Sequence, residues 1–441
     1  MVDITFINTA NTDPVKALAR VRESVLLSRL VLDDSKEWQT VRQIVADVAE
    51  KGDDAVAEIT ARVDQQQIAP AELRVPPDVL KAAHDRVQPD LLQAIKQAIQ
   101  SLREFQQSLV TDPPPAIQSN GRSVSLRRRP VRRVGVCVPG AAAPLPSSAI
   151  HCAVPAQVAG VKDIVLVAPP RVDGDIHPTI LATAYELGIT EVYRMGGAQA
   201  VAALAIGTKR VPKVDKIVGP GSVYVQLAKR ALYGVADIDM FAGPSEVVII
   251  ADDTATPAFV AADMLAQAEH DPGSAILLTD SVTLAEAVRE ELGRQLATLS
   301  RKEGAEKSLK ALCAILVVRE LLEALVLANE LAPEHLHIET TKPAEVADRI
   351  DAAGAIFLGH HSPEATGDYV AGPSHVLPTG GTARFWSGVS ALSFFRYSSV
   401  IEYSRAALAH DAATIETLAR AEGLDAHARS VSIRTQLNNP S

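Results

Sequence analysis

Four short segments in the C-terminal half of this chain carry a concentration of metal-ligating and proton-transferring residue types. They read A-Q-A-E-H-D at 266–271, A-P-E-H-L-H at 332–337, P-E-A-T-G-D-Y at 363–369 and E-G-L-D-A-H at 422–427. Histidine, aspartate and glutamate bind zinc, move protons, or do both. Each segment falls at the edge of an expected helix or strand. Together they offer a metal site with a proton-transfer pair, and they point to an enzyme.

Gln267 and His270 lie three residues apart on a helix expected over 256–270, so they share a face. Histidine is a standard zinc ligand and glutamine is not, so the pair alone also fits a helix end whose histidine meets the terminal carbonyls. Glu334 and His335 follow Pro333, between a helix and a strand at 335–338. A proline-led turn there sets an acid beside an imidazole at a sheet edge. Histidine titrates near neutrality and glutamate can be tuned upward, which makes a candidate acid/base pair; a solvated, charged loop is the alternative. Asp368 is expected in a loop with Gly367 and Gly372, with His360, His361 and His375 nearby. It supplies a hard oxygen ligand or else an ordinary turn aspartate. His427 falls in a helical stretch and, alone, reads as an ordinary surface or core histidine.

The elements that must position these residues change character along the chain. The first hundred residues pattern as helix: Val41, Ile44, Val45 and Val48 mark one buried face. Gly52 stops that helix, and Asp53 is placed to cap the next. Leu91, Ile95, Ile99, Leu102 and Phe105 mark a longer helix ending before Pro113. From 134 onward, short apolar runs alternate with helices: 134–138, 164–168, 192–195 and 216–218, then 247–251, 275–279, 314–318, 335–338 and 355–358. That alternation predicts an α/β fold with two parallel sheets, each covered on both faces. The tail beyond about 390 is expected to return to helix. A-G-P-S-E at 242–246 punctuates the two series, so an interdomain cleft is expected there, with ligands outside the carboxyl ends of the strands. Glycine-rich loops at 139–148, 196–200 and 219–222 bring backbone N–H groups toward helix starts that favour phosphate. No G-x-G-x-x-G is present, so a nucleotide site of the usual dinucleotide form is not expected.

Size and composition agree with a two-core globular protein. The chain has 441 residues, 47% apolar and 22% charged, long enough for two domains. Aromatics are only 4%, so the cores must be built from Ala, Val, Leu and Ile. A formal net charge of −10 argues against a nucleic-acid partner. Arg127, Arg128, Arg129, Arg132 and Arg133 form a local basic run, read as a solvated or interface face in preference to a phosphate site. Three cysteines without C-x-x-C spacing argue for a reducing compartment. The N-terminus does not pattern as a signal peptide and no apolar run is long enough to span a membrane, so a cytoplasmic location is expected.

Taken in order, the segments resemble the histidinol dehydrogenase family. The match runs through V-P-G-A-A-A-P-L-P-S from 138, G-G-A-Q-A-V-A-A-L from 196, V-D-K-I-V-G-P-G from 214, A-G-P-S-E-V-V from 242, Q-A-E-H-D from 267, P-E-H-L from 333, G-D-Y-V-A-G-P-S-H-V-L-P-T from 367, G-T-A-R-F from 381 and E-G-L-D-A-H from 422. It covers roughly residues 25 to 435.

The resemblance implies two incomplete Rossmann-like parallel-sheet domains with helical N- and C-terminal extensions. It divides the chain into an extension at 1–34, an α/β domain from 35–133 and 246–389, an inserted NAD-binding domain at 134–245, and a helical tail at 390–441. It implies a homodimer with one zinc ion per subunit, held by Gln267, His270, Asp368 and, from the partner, His427. The same four, with His335, Ser245, His375, Glu422 and Glu364, would contact the substrate, L-histidinol. Glu334 and His335 would be the acid/base residues, and NAD would lie near Cys137, Gln199 and Ser222. Many relatives carry Tyr and Asn where this chain has Cys137 and Ser222, which implies altered cofactor affinity with activity retained. The implied reaction is a two-step, NAD-dependent oxidation of alcohol to aldehyde to acid. Two other readings stand beside it: a related dehydrogenase acting on a sulfonated diol, and a zinc hydrolase.

Overall fold

The computed structural model describes residues 2–11, 16, 35–140 and 144–436. Most of the 1–34 extension, and the middle of the 139–148 loop, lie outside the described residues. The N-terminal part comprises β1 (Thr5–Asn8), α1 (Lys36–Lys51), α2 (Asp53–Asp64), α3 (Pro77–Arg86), α4 (Pro89–Ser108), β2 (Ile117–Ser119) and β3 (Arg122–Pro130). Next come β4 (Arg133–Cys137), α5 (Pro146–Ala159), β5 (Asp163–Ala168), α6 (Pro178–Glu186), β6 (Glu191–Arg194), α7 (Gly197–Ile206), β7 (Lys216–Val218), α8 (Val223–Leu232) and β8 (Asp237–Ile238). A second series holds β9 (Ser245–Ala251), α9 (Pro257–Ala268), β10 (Gly273–Thr279), α10 (Val282–Leu296), α11 (Lys302–Leu312), β11 (Ala314–Val317), α12 (Leu321–Leu331), β12 (His335–Glu339), α13 (Pro343–Ala347), β13 (Ala355–Leu358) and α14 (Glu364–Tyr369). The chain ends with β14 (Phe395–Tyr403), α15 (Arg405–Ala421) and α16 (Asp425–Gln436).

Both expected parallel sheets are present in one compact unit formed by residues 1–109 and 132–394. The first has strand order β6-β5-β4-β7-β8. Counted from its own first strand this is 3-2-1-4-5, half of a doubly wound fold, in which order reverses between β4 and β7. The second has order β1-β11-β10-β9-β12-β13. Without β1, it repeats 3-2-1-4-5, with its reversal between β9 and β12. Helices between successive strands impose parallel pairing and cover both faces, so the strands read as apolar runs. One face of the second sheet packs Val247, Ile249, Leu277 and Ile315 under α9, α10 and α11. The other packs Val248, Ile250, Leu336 and Ile338 with α12. In the first sheet, Val41, Ile44 and Val48 of α1 join a core with Val201, Leu204 and Ile217.

Two local expectations differ from the structure. Asp53 does not cap α2, whose N-cap is Gly52; the carboxylate instead accepts a hydrogen bond from the Thr208 hydroxyl. Thr5–Asn8 adds a strand at the edge of the second sheet, paired to β11, from a segment too short to carry a pattern.

The second compact unit combines residues 110–131 with 395–441. Here the tail does not return directly to helix. Residues 395–403 first form β14, antiparallel to β3 from Phe395↔Pro130 to Tyr403↔Arg122. Tyr, Val and Ile in R-Y-S-S-V-I-E-Y favour a pleated strand. The Ser404 hydroxyl then accepts from the Ala407 N–H and starts α15. Arg127 and Arg129 of the basic run are exposed, and Arg128 lies 4.4 Å from the centre of the Phe395 ring. The face is thus open, to solvent or to an interface.

Candidate active site

The Glu334–His335 pair sits at the amino end of β12, and β12 is an interior strand flanked by β9 and β13. It is therefore not at a sheet edge, and the cluster lies at the opposite pole of this sheet from the carboxyl ends where it was expected. Pairing on both sides buries the pair: Glu334 is 6% exposed and His335 3%. Glu334 Oε2 accepts from the Ser245 hydroxyl at 2.7 Å and from the Glu246 N–H at 2.9 Å, both at the start of β9. Burial outweighs these bonds and pushes the Glu334 carboxyl up to about 8. Burial likewise pushes His335 down to about 3, with His337 adding to the effect. His335 Nδ1 lies 3.6 Å from Glu364 Oε2 and 3.8 Å from Glu334 Oε2, without a hydrogen-bond partner among the described residues.

Asp368 is not in a loop but on the short helix α14, one turn after Glu364, so both carboxyls face the same way. Burial, then the Asp368 charge, holds Glu364 well above the usual carboxylate range. Burial takes Asp368 up to about 6. His375 Nδ1 is 3.8 Å from Asp368 Oδ1, and burial takes its ring down to about 4. The residue that supports it carries no motif of its own. His151, wholly buried in α5, stacks on the His375 ring at 4.1 Å, and its Nδ1 accepts from the His375 N–H at 3.0 Å.

Helix α9 ends at Ala268, two residues short of expectation, so Gln267 is helical and His270 lies in the following turn. They remain joined, since the His270 N–H donates to the Gln267 carbonyl at 3.3 Å. Gly273 packs so tightly under this turn that a Cβ there would overlap the Gln267 carbonyl oxygen. Gln267 is completely buried, yet neither of its amide atoms has a partner among the described residues. His270 is the outermost of the group and is exposed, but packing around its ring still disfavours the imidazolium. It is near enough to His335 and His375 to oppose their protonation.

The structure therefore brings together Ser245, His270, Glu334, His335, Glu364, Asp368 and His375, and Gln267 adjoins His270 through the backbone bond at the end of α9. His335, Asp368 and His375 line a cleft of about 490 Å³ together with Phe105, Phe357 and Ser390, a volume suited to a small molecule. These acids are pushed toward neutral carboxyls and the histidines toward neutral imidazoles. A divalent cation reverses the preference of the carboxyls and takes the imidazoles in the neutral form they already hold, so the donor set fits one. Glu422 and His427 lie in the second unit, exposed at the end of α15 and in the first turn of α16.

Of the nucleotide candidates, Cys137 and Ser222 lie at or just beyond the ends of the strands on either side of the reversal point of the first sheet, whereas Gln199 follows the edge strand β6. Cys137 closes β4 and is buried, which pushes its thiol up to about 11. Gly219 follows β7 with φ +111, and a Cβ there would overlap the Cys137 carbonyl oxygen. Lys229 and Asp239, a buried pair at 2.7 Å, brace this loop: Lys229 donates to Gly219 O and Asp239 Oδ2 accepts from Gly219 N. Ser222 is the N-cap of α8, exposed, and its hydroxyl makes no capping bond. Gln199, in the first turn of α7, is buried beside Thr60. The helix starts of α7 and α8 thus open at the carboxyl ends of the strands, where phosphate is favoured.

A family profile, Histidinol dehydrogenase, matches residues 27–435. The histidinol dehydrogenase of Rhodopirellula baltica is 48% identical over 398 residues, covering 90% of this chain and 86% of that protein. That of Halalkalibacterium halodurans is 47% identical over 422 residues, covering 95% and 99%. The crystal structure of histidinol dehydrogenase from Elizabethkingia anophelis superimposes with a TM-score of 0.91 at 34% identity, covering 98% of both chains. These relatives favour neither the sulfonated-diol nor the hydrolase alternative.

Proposed function

Because the chain belongs to the histidinol dehydrogenase family, we propose that it oxidises L-histidinol to L-histidine through the aldehyde, with NAD and one zinc ion at the reaction site of each subunit. The observation that carries this reading is the buried, adjacent Glu334–His335 pair beside a cleft of small-molecule size. Gln267, His270 and Asp368 are the zinc ligands, with His427 of the partner subunit. Support comes from the Gln267 amide, buried with both polar atoms unpartnered, since such a group normally has a partner. Zinc, when bound, supplies a template and a positive charge for the imidazole and amine of the substrate. NAD, which takes up the hydrides, belongs on residues 134–245, where the Gly219 loop and the α7 and α8 helix starts can receive it.

Each residue then has a task set by its surroundings. His335, kept neutral by burial, accepts the proton of the carbinol hydroxyl in the first oxidation. The ionised form of Glu334, held by Ser245 and Glu246, takes the proton of the water that adds to the aldehyde in the second; with the carboxyl near 8, that form grows as pH rises. Ser245 fixes the carboxylate, and His151 fixes the His375 backbone and ring beside Asp368. His375, Glu364 and, across a dimer interface, Glu422 hold the substrate. The exposed apolar residues of the second unit, Tyr397, Ile401 and Leu418 among them, support a homodimer that covers them. Cys137, Gln199 and Ser222 contact the nucleotide. Three buried free cysteines support a cytoplasmic setting. No helix among the described residues is long and apolar enough to cross a membrane.

The test is NADH formation on adding L-histidinol, before and after chelation. Two NADH per substrate, lost on chelation and restored by zinc, is the expected result. No NADH from L-histidinol would overturn the reading.

A further inference from the structure

Strand β12 reads H-L-H-I-E, and all five residues are buried. Alternating polar and apolar residues normally mark a strand with one face in water. Here Leu336 and Ile338 enter one core, and the polar face is shut in as well. His335 accounts for only its first position.

The other two polar residues belong to a separate cluster. His337 is 1% exposed and Glu339 2%. Asp263, on α9, meets His337 Nδ1 through Oδ2 at 3.1 Å. His360, just beyond β13, brings Nδ1 to 3.6 Å from Glu339 Oε2. Both oxygens of Glu339, Nε2 of His337 and Nδ1 of His360 lack a hydrogen-bond partner among the described residues. Donor atoms of Asp263, His337 and Glu339 all lie within 4.8 Å of one another. Buried polar atoms without partners are costly, and four in one place need a common cause.

We propose that Asp263, His337, Glu339 and His360 bind a divalent transition-metal cation at a site separate from Gln267, His270 and Asp368. Two imidazoles and two carboxylates are the donor types that zinc and its first-row neighbours accept. Two carboxylate charges balance one divalent ion, which removes the cost of burying either alone. Ligand atoms about 2.0–2.2 Å from zinc in a tetrahedron lie about 3.3–3.6 Å apart, so closure of Asp263, His337 and Glu339 asks for side-chain movement of about 1 Å; His360 lies outside that group, beside Glu339 alone, and has further to swing.

The place in the fold agrees. Glu339 is the last residue of β12, about 13 Å along the strand from His335 at about 3.3 Å per residue. It pairs in register with Ala251, the last residue of β9. These two strands flank the reversal of strand order, and the carboxyl side of that point is the usual ligand position in such sheets. The ion would tie α9 to the ends of β12 and β13. Asp263 stands one turn before Gln267 on α9, so the same tie sets the end of the helix.

Without an ion, Glu339 would instead be a neutral acid; burial and the Asp263 charge push its carboxyl up to about 8. Zinc content of the untagged, full-length protein, loaded with zinc and then freed of excess, separates the two cases. The expected result is two zinc per chain for the wild type, one for Glu339→Gln, one for His270→Ala, and none for the double variant. One zinc in the wild type, unchanged by Glu339→Gln and lost with His270→Ala, would overturn the proposal while leaving the reaction-site zinc intact. One zinc lost with Glu339→Gln and kept in His270→Ala would support this site and sink the other. The wild-type and His270→Ala values leave the cluster untouched, so they decide the matter even if Glu339→Gln does not fold.

Discussion

Replacing Glu334 by glutamine removes a proton acceptor while leaving most of its anchorage in place. Oε2 accepts from the Ser245 hydroxyl and the Glu246 N–H at 2.7 and 2.9 Å, and a carboxamide oxygen can accept both. The carboxyl is already pushed up to about 8, so near pH 7 the folded protein exchanges a largely neutral group for a neutral one. The cost in stability should be about 1 kcal/mol or less, the scale of one adjusted hydrogen bond. The chemical cost is larger. A positioned general base contributes about 10²–10⁴-fold, which is about 3–5 kcal/mol at 1.36 kcal/mol per tenfold. Only addition of water to the aldehyde needs Glu334, whereas the first proton goes to His335. The loss should therefore fall on the second oxidation. Single-turnover NADH yields, started separately from L-histidinol and from its aldehyde, read the two stages apart. Glu334→Gln should give close to one NADH per alcohol at a near-normal rate, then stall. Equal slowing of both stages would refute the division of labour, and an unchanged second stage would remove Glu334 from the reaction.

Three further outcomes follow from the same geometry. Gln267→Leu should stabilise the metal-free protein by about 1–3 kcal/mol, because it removes a buried, unpartnered amide, while lowering bound zinc; denaturant midpoints and metal analysis check this, and a destabilised metal-free variant would count against it. Gly219→Ala forces a Cβ onto the Cys137 carbonyl at φ +111, a strain of about 1–3 kcal/mol or more. It should weaken NADH binding at least tenfold in a fluorescence titration and leave zinc content unchanged; normal affinity would place the nucleotide elsewhere. In metal-free protein, Glu334 and Glu339 near 8 and Asp368 near 6 hold protons that the unfolded chain releases at ordinary carboxyl values. Below about 6.5 the depressed His335 and His375 act in the opposite sense, since the unfolded chain protonates them and the folded one does not. Between about 6.5 and 8 the raised carboxyls make the folded state the better proton binder, so its stability should fall as pH rises there and level off past about 8. A rise in stability across that window, in urea titrations of chelated protein, would contradict the burial described.

The parallel sheets were legible because each strand is buried on both faces and therefore written in Val, Ile and Leu, as in V-V-I-I-A at 247–251. The ligand-type residues were legible for the opposite reason: polar groups beside apolar runs stand out. What was not legible depended on distant partners. Nothing in A-I-H-C-A-V marks His151, whose role comes from His375 more than two hundred residues later. The end of the sheet that carries the reaction groups was also misjudged, since a strand written H-L-H-I-E states its alternation but not which pole faces the cleft. The same strand concealed Glu339 and its neighbours, because alternation suggests an exposed face until α9 is seen lying across it.

The pairing of β3 with β14 carries a consequence for how the protein is made. Residues 122–130 leave the ribosome while most of the chain is still to be translated, and their partner at 395–403 comes among the last. At about 5–20 residues per second this wait is on the order of tens of seconds. Throughout it, a nascent strand with an open hydrogen-bonding edge is available to any neighbouring chain. Arg127, Arg128 and Arg129 repel a second copy of the same strand, as charged residues do on natural sheet edges. Like charge on the run therefore disfavours pairing between two copies of the unfinished strand, and its neutralisation should show first as poor yield during synthesis.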